Sequence, residues 1–153
     1  MSGEDTAKKL TFAFKNLKGE AGLSPKLLWT NPAPEAGFGI KDVPFEASSG
    51  ADKYSFFAIV CANLKAPLNK TPTFTSIVHM PATESTVNAI VTCPVDPLRR
   101  SPYPSGRTLT LSRVSNQSFT FVMSFTQASV WTSGSVSTID DNYCIPIHIY
   151  GLA

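Results

Sequence analysis

Few side chains in this sequence can do chemistry, and their spacing decides which chemistry is open to them. The chain holds two histidines, His79 and His148. His79 follows Ile77 and Val78 and precedes Met80 and Pro81, where a strand would end; His148 lies on the polar side of an alternating stretch near the C-terminus. An imidazole acting as a general base needs a reacting group within hydrogen-bond reach. Asp140 and Asp141 are the acidic pair on offer, but neighbours on a strand point to opposite sides, so they suit a turn before Tyr143. Cys61, Cys93 and Cys144 lie far apart in apolar or strand-like stretches with no Cys-x-x-Cys spacing, and they read as buried free thiols. No Gly-x-Ser-x-Gly, phosphate-binding Gly loop, His-Glu-x-x-His or EF-hand pattern is present. The expectation is a binding domain, not an enzyme, with no catalytic residues, no metal ligands and no cofactor.

Recognition is better served. Arg99, Arg100, Tyr103 and Arg107 fall in or beside residues 93–106, a segment with four prolines. Proline lowers the cost of ordering such a loop, and Arg and Tyr are enriched at binding hot spots. These four are the candidate partner-binding residues. Asn69-Lys70-Thr71 and Asn116-Gln117-Ser118 fit the N-glycosylation pattern, which with no sign of secretion reads as coincidence.

The elements that must position these residues are strands. Period-two alternation recurs along the chain, and no stretch has helical periodicity with caps. Residues 118–125 put Phe119, Phe121, Met123 and Phe125 on one face, and residues 108–113 before them alternate as well, predicting an antiparallel hairpin across Ser115-Asn116-Gln117. Residues 53–61 form a nearly continuous apolar run, as in a central strand covered on both faces. Further strands are expected at 73–79 and 87–93, with a weaker one at 10–15. At 144–150 the three isoleucines share a face opposite Pro146, His148 and Tyr150; because proline cannot donate to a ladder, this strand is expected at an edge or with the Pro146 nitrogen facing outward. The pattern predicts an all-β, antiparallel sandwich or jelly-roll-like fold.

At 153 residues and 42% hydrophobic, the chain is sized for one core. Charged residues are only 16% and the net charge is +2, too mild for a nucleic-acid partner. No apolar run reaches the roughly 20 residues that span a bilayer, so membrane insertion is not expected. Residues 1–27, rich in Lys and punctuated by Gly19 and Gly22, read as an approach segment, and 28–153 as the globular domain.

One stretch carries a specific likeness. Leu28-Trp29-Thr30-Asn31-Pro32-Ala33-Pro34 resembles the Leu-Trp-Thr-Thr-Pro-x-Pro junction where the shaft of an adenovirus fibre passes into its head, or knob. Its marker residues here are Leu28, Trp29, Thr30, Pro32 and Pro34. Residues 53–61 are similar to the first knob strand, 119–125 to a late strand, 147–153 to the chain's end in that family, and 10–16 with Gly22-Leu23 to the last shaft repeat. The resemblance implies a homotrimer of β-sandwich heads on a fibrous shaft at the virion surface. It implies binding to a host cell-surface receptor, a protein or a sialylated glycan, and attachment to the penton base through an N-terminal part of the fibre missing from this chain. It also implies passage through the host nucleus during assembly. For a glycan, Arg99, Arg100 or Arg107 would pair the carboxylate and Tyr103 would stack on a sugar face. A tumour-necrosis-factor-like or complement C1q-like trimeric head, and a virus shell jelly roll, remain alternatives.

Overall fold

In the computed structural model, residues 25–63, 73–94, 104–114, 118–133 and 136–153 are described. Alternation in these segments becomes ten strands: β1 (Pro25–Thr30), β2 (Lys41–Glu46), β3 (Phe56–Ala62), β4 (Thr73–His79), β5 (Thr86–Pro94), β6 (Pro104–Arg113), β7 (Phe119–Phe125), β8 (Ser129–Ser133), β9 (Val136–Ile139) and β10 (Ile145–Leu152). Two single 3-10 turns, Ala47–Ser49 and Ala51–Lys53, lead into β3, joined at Gly50, whose φ of 68° a side chain would strain.

The strands form two antiparallel sheets. Sheet A has the order β1-β10-β3-β4, and sheet B runs β2-β7-β6-β8-β9 with β5 also paired to β6. Their inner faces meet in one core, to which β3 gives Phe57, Ile59 and Cys61 and β10 its three isoleucines. From sheet B come Val43, Phe45, Val91, Cys93, Leu109, Leu111, Phe121, Met123 and Phe125. Phe57 bridges the sheets, its ring 5.6 Å from Phe121 and 6.4 Å from Phe45. Each such side chain contributes roughly 1.5–3 kcal/mol by leaving water, which is what holds the sheets face to face.

The all-β expectation holds, as does the β6–β7 hairpin, with Leu111 opposite Met123 and Leu109 opposite Phe125. Residues 73–79 are β4, and β3 is indeed internal. The weak strand expected at 10–15 lies outside the described residues. β10 is not at an edge: it sits between β1 and β3. Pro146 is tolerated there because β1 stops pairing at Thr30, opposite His148, and the register with β3 shifts between Pro146 and His148. The first strand also begins earlier than the junction motif suggests, so Pro25, Lys26 and Leu27 already belong to sheet A.

Candidate binding surface

Strand register determines what each sheet shows on its outside, since paired residues share a face. Across sheet A one outer row reads Leu27, Tyr150, Ala58 and Ile77; a second reads Pro25, Leu152, Phe56 and His79; a third reads Thr30, His148, Val60 and Thr75. Ala58, Val60, Tyr150 and Leu152 form a buried cluster of their own, separate from the main core. Around it Phe56 is 38%, Leu27 49% and Ile77 53% exposed, more apolar surface than a sheet face open to water needs. Phe56 and His79 stack with ring centroids 4.4 Å apart at 13°. His148 is half-buried, its Nδ1 3.1 Å from Thr30 Oγ1 and its ring 6.1 Å from that of Tyr150, and burial holds its pKa below the usual histidine range. None of the residues in these three rows carries a carboxylate, an ammonium or a guanidinium.

The outer face of sheet B is different. Thr86, Asn88, Thr92, Thr108, Thr110, Ser112 and Ser124 lie across β5, β6 and β7, with Thr110 Oγ1 donating to Asn88 Oδ1 at 2.8 Å. The hydroxyls suit it to water, and Ile90 is its one large apolar outlier across these three strands, at 66% exposed.

The sequence candidates separate in the fold. Arg99, Arg100 and Tyr103 lie outside the described residues. Arg107, beside the Pro-rich segment, is 1% exposed in β6, with its guanidinium turned into the core. Its Nε donates to the carbonyl oxygen of Cys144 at 2.9 Å, Nη1 to Thr126 O at 2.9 Å, and Nη2 to Tyr143 O at 3.0 Å and Asp141 O at 3.3 Å. The guanidinium also lies 5.2 Å from the centre of the Phe38 ring. A side chain committed to these acceptors is not presented to a receptor, and Arg107 leaves the candidate set.

Leu28 and Trp29 of the junction pack against the main core, Trp29 edge-on to Phe38 at 6.4 Å. Thr30 and Pro32 are exposed and Pro34 is half-buried. Asn31, which the motif comparison passed over, is the buried member: its Nδ2 donates to Pro146 O at 2.9 Å, its Oδ1 accepts from Ala33 N–H at 3.0 Å, and its own N–H bonds Ile147 O at 2.9 Å. Asn31 therefore ties the turn after β1 to the irregular part of β10. Asp140 Oδ1 accepts from the Asn142 N–H at 2.9 Å, as the turn reading requires.

The three cysteines are buried and free, but they are not scattered. All three belong to the main core, and Cys144 Sγ donates to the Val91 carbonyl oxygen at 3.4 Å. Interaction with Cys61 and then Cys93, aided by the nearby Arg107 cation, draws Cys144 below the ordinary thiol range, while Cys61 and Cys93 are pushed up. Among the described residues no group of three or more His, Cys, Asp or Glu side chains converges as a metal site. No helix is long and apolar enough to cross a membrane.

The arrangement is thus a two-sheet antiparallel sandwich in which sheet A has an apolar outer face and sheet B is hydroxyl-lined across β5, β6 and β7 but also exposes Trp131 on β8 and Ile139 on β9. Comparison with known protein families finds no family model that matches this chain, and comparison with curated protein sequences finds no match.

Proposed function

We propose that this chain is the receptor-binding head of a trimeric viral fibre, resembling the adenovirus knob, and that it attaches a virion to a host cell-surface receptor. The observation that carries the reading is the outer face of sheet A, where Leu27, Phe56 and Ile77 surround a buried apolar cluster with no charged side chain among them. A face of that kind favours burial against copies of itself, as a head held on a shaft requires. Trimerisation multiplies weak sites: once one engages, the next binds at high effective concentration, so a shallow glycan or protein site suffices. A sialylated glycan is the ligand best matched to Arg99, Arg100 and Tyr103, with the carboxylate pairing a guanidinium.

Sedimentation equilibrium of the chain at micromolar concentration tests the assembly. A trimer is expected, and Ile77→Asp should convert it to monomer while Ile90→Asp on sheet B leaves it assembled. A wild-type monomer would end the proposal. Glycan-array binding by an Arg99→Ala, Arg100→Ala double variant tests the ligand, and undiminished binding would remove the loop from it.

A further inference from the structure

Away from the apolar face of sheet A, sheet B presents an aromatic ring of its own. Val130 is buried opposite Ser105, so alternation along β8 turns Trp131 outward, where it is 39% exposed. The comparably exposed Phe56 already stacks on His79, whereas among the described residues no ring or cation lies over the Trp131 indole and nothing accepts from its Nε1. Beside it the outer face dips. One row across the sheet reads Thr92, Gly106, Ser129 and Ile139. Gly106 has no side chain, and a Cβ there would meet Val91 O at 3.2 Å, Thr92 Cγ2 at 3.5 Å and Ile90 Cγ2 at 3.6 Å. Ile90 and Thr92 therefore stand on one side of the low Gly106–Ser129 pair, and Trp131 and Ile139 on the other, with both isoleucines 66% exposed. From β5 to β8 is two strand spacings, about 10 Å, which leaves room for one pyranose ring. None of these six residues is charged. An indole face bordered by hydroxyls suits a sugar, whose ring has an apolar C–H face and polar edges. A protein interface would need the apolar surface to continue, and along β5 and β6 it gives way to Asn88, Thr108 and Thr110. The chain leaves β5 at Pro94 and re-enters β6 at Pro104, one residue before the Ser105–Val130 pair, so both ends of the segment carrying Arg99, Arg100 and Tyr103 lie at this end of the trough.

We propose that Trp131 and the trough at Gly106 and Ser129 form a subsite for a neutral hexose, the sugar adjoining the sialic acid of a receptor glycan, an assignment that rests on the glycan-binding function proposed for the head. The hexose lays its C–H face on the indole, while its hydroxyls exchange hydrogen bonds with Thr92, Ser129 and the indole N–H. No charge is needed in the trough, because the carboxylate of the acidic sugar is left to Arg99 and Arg100. A single stacked ring is a weak site, and three of them on one trimer suffice through avidity.

Titration of the full chain with sialyllactose and with lactose, read by tryptophan emission and by saturation-transfer NMR, tests the subsite. Wild type should transfer saturation to the hexose protons of sialyllactose as well as to its sialic acid, and lactose should give the same emission change at higher concentration. Trp131→Phe leaves Trp29 as the only indole, so it should keep most of the affinity and lose the emission change. Trp131→Ala should weaken sialyllactose binding roughly tenfold or more. Undiminished binding by Trp131→Ala, or an emission change that persists in Trp131→Phe, would overturn the subsite and leave glycan attachment standing. No sialyllactose binding by wild type would overturn both. Sedimentation of Trp131→Ala covers the remaining case: loss of assembly would make the ring a contact between copies of the chain, and the subsite would fall.

Discussion

The guanidinium of Arg107 and the carbonyl oxygen of Cys144 meet at 2.9 Å, so the one left-handed non-glycine residue of the described fold is held by a buried cation from the opposite sheet. That bond is part of a set that also ties down Thr126, Asp141 and Tyr143. The turn before β10 therefore keeps its shape only while the whole fork is present.

Removing the fork leaves several buried carbonyls without donors. Arg107→Met should lower stability by about 3 kcal/mol or more, and Arg107→Lys by a similar amount, because a single ammonium cannot reach acceptors spread around a planar guanidinium. Urea unfolding of both variants measures this. A loss under about 1 kcal/mol in Arg107→Lys would mean that charge, not geometry, is what the site requires.

A close approach elsewhere yields a coupled prediction. A Cβ on Gly151 would stand 2.5 Å from the Tyr54 ring, which lies against that stretch of β10. Gly151→Ala must push the ring aside and should cost about 1–3 kcal/mol. In a Tyr54→Ala background the same change should cost under about 1 kcal/mol, because the obstacle is gone. Equal costs in the two backgrounds, from a double-mutant cycle in urea, would show that the ring is not the obstacle.

How far this was readable beforehand depends on which residues one asks about. Phe121, Met123 and Phe125 announced their face because every second residue is large and apolar. β2 did not, since Pro44 interrupts Val43 and Phe45; as an edge strand of sheet B it tolerates the missing donor. Pro146 left an edge position as one of two options for β10, and the strand lies inside sheet A with a local register shift beside the proline. Arg107, beside the Pro-rich segment, has the chemistry of a binding residue. Yet Ser105, Arg107, Leu109 and Leu111 share one parity, and that alternation alone turns the guanidinium inward. Parity likewise sends Cys61 inward with Phe57 and Ile59, and Cys93 with Val91. What no pattern within a single strand could reveal is that these thiols share one core with Cys144, since that core is made between sheets. The apolar outer face of sheet A was hidden for the same reason: Leu27, Phe56 and Ile77 become neighbours only through pairing.

Asn31 tests whether the junction is a structural device as well as a likeness. Its amide donates to Pro146 O and its side-chain oxygen accepts from Ala33 N–H, both from a buried position. Asn31→Ala should cost about 1–3 kcal/mol by orphaning those groups. Asn31→Asp keeps the acceptor but sets a carboxylate oxygen against the Pro146 carbonyl, so at neutral pH it should cost at least as much and recover partly when acid protonates it. Melting temperatures of both variants at pH 7 and pH 4.5, each compared with wild type, decide the matter. An Asp variant as stable as wild type at pH 7 would mean the Pro146 contact contributes nothing.

Acid should act on the apolar face through His148. Burial lowers its pKa in the fold, while in the unfolded chain it titrates near the ordinary value of about 6.5. Below that pH the unfolded chain takes up the proton more readily than the folded one, so folding loses stability as the pH falls, and the contribution is fully present only above it. Thr30 Oγ1 and the Tyr150 ring face the imidazole, Val60 is its partner on β3, and none of these supplies a negative charge to hold the imidazolium. His148→Gln should therefore narrow the gap in melting temperature between pH 7.5 and pH 5.5 relative to wild type, leaving the acid response of other groups in place. Association through sheet A would bury the ring further, so sedimentation at the two pH values should show the wild-type assembly loosening in acid more than the variant. Identical pH dependence of melting in the two proteins would sink the assignment to His148.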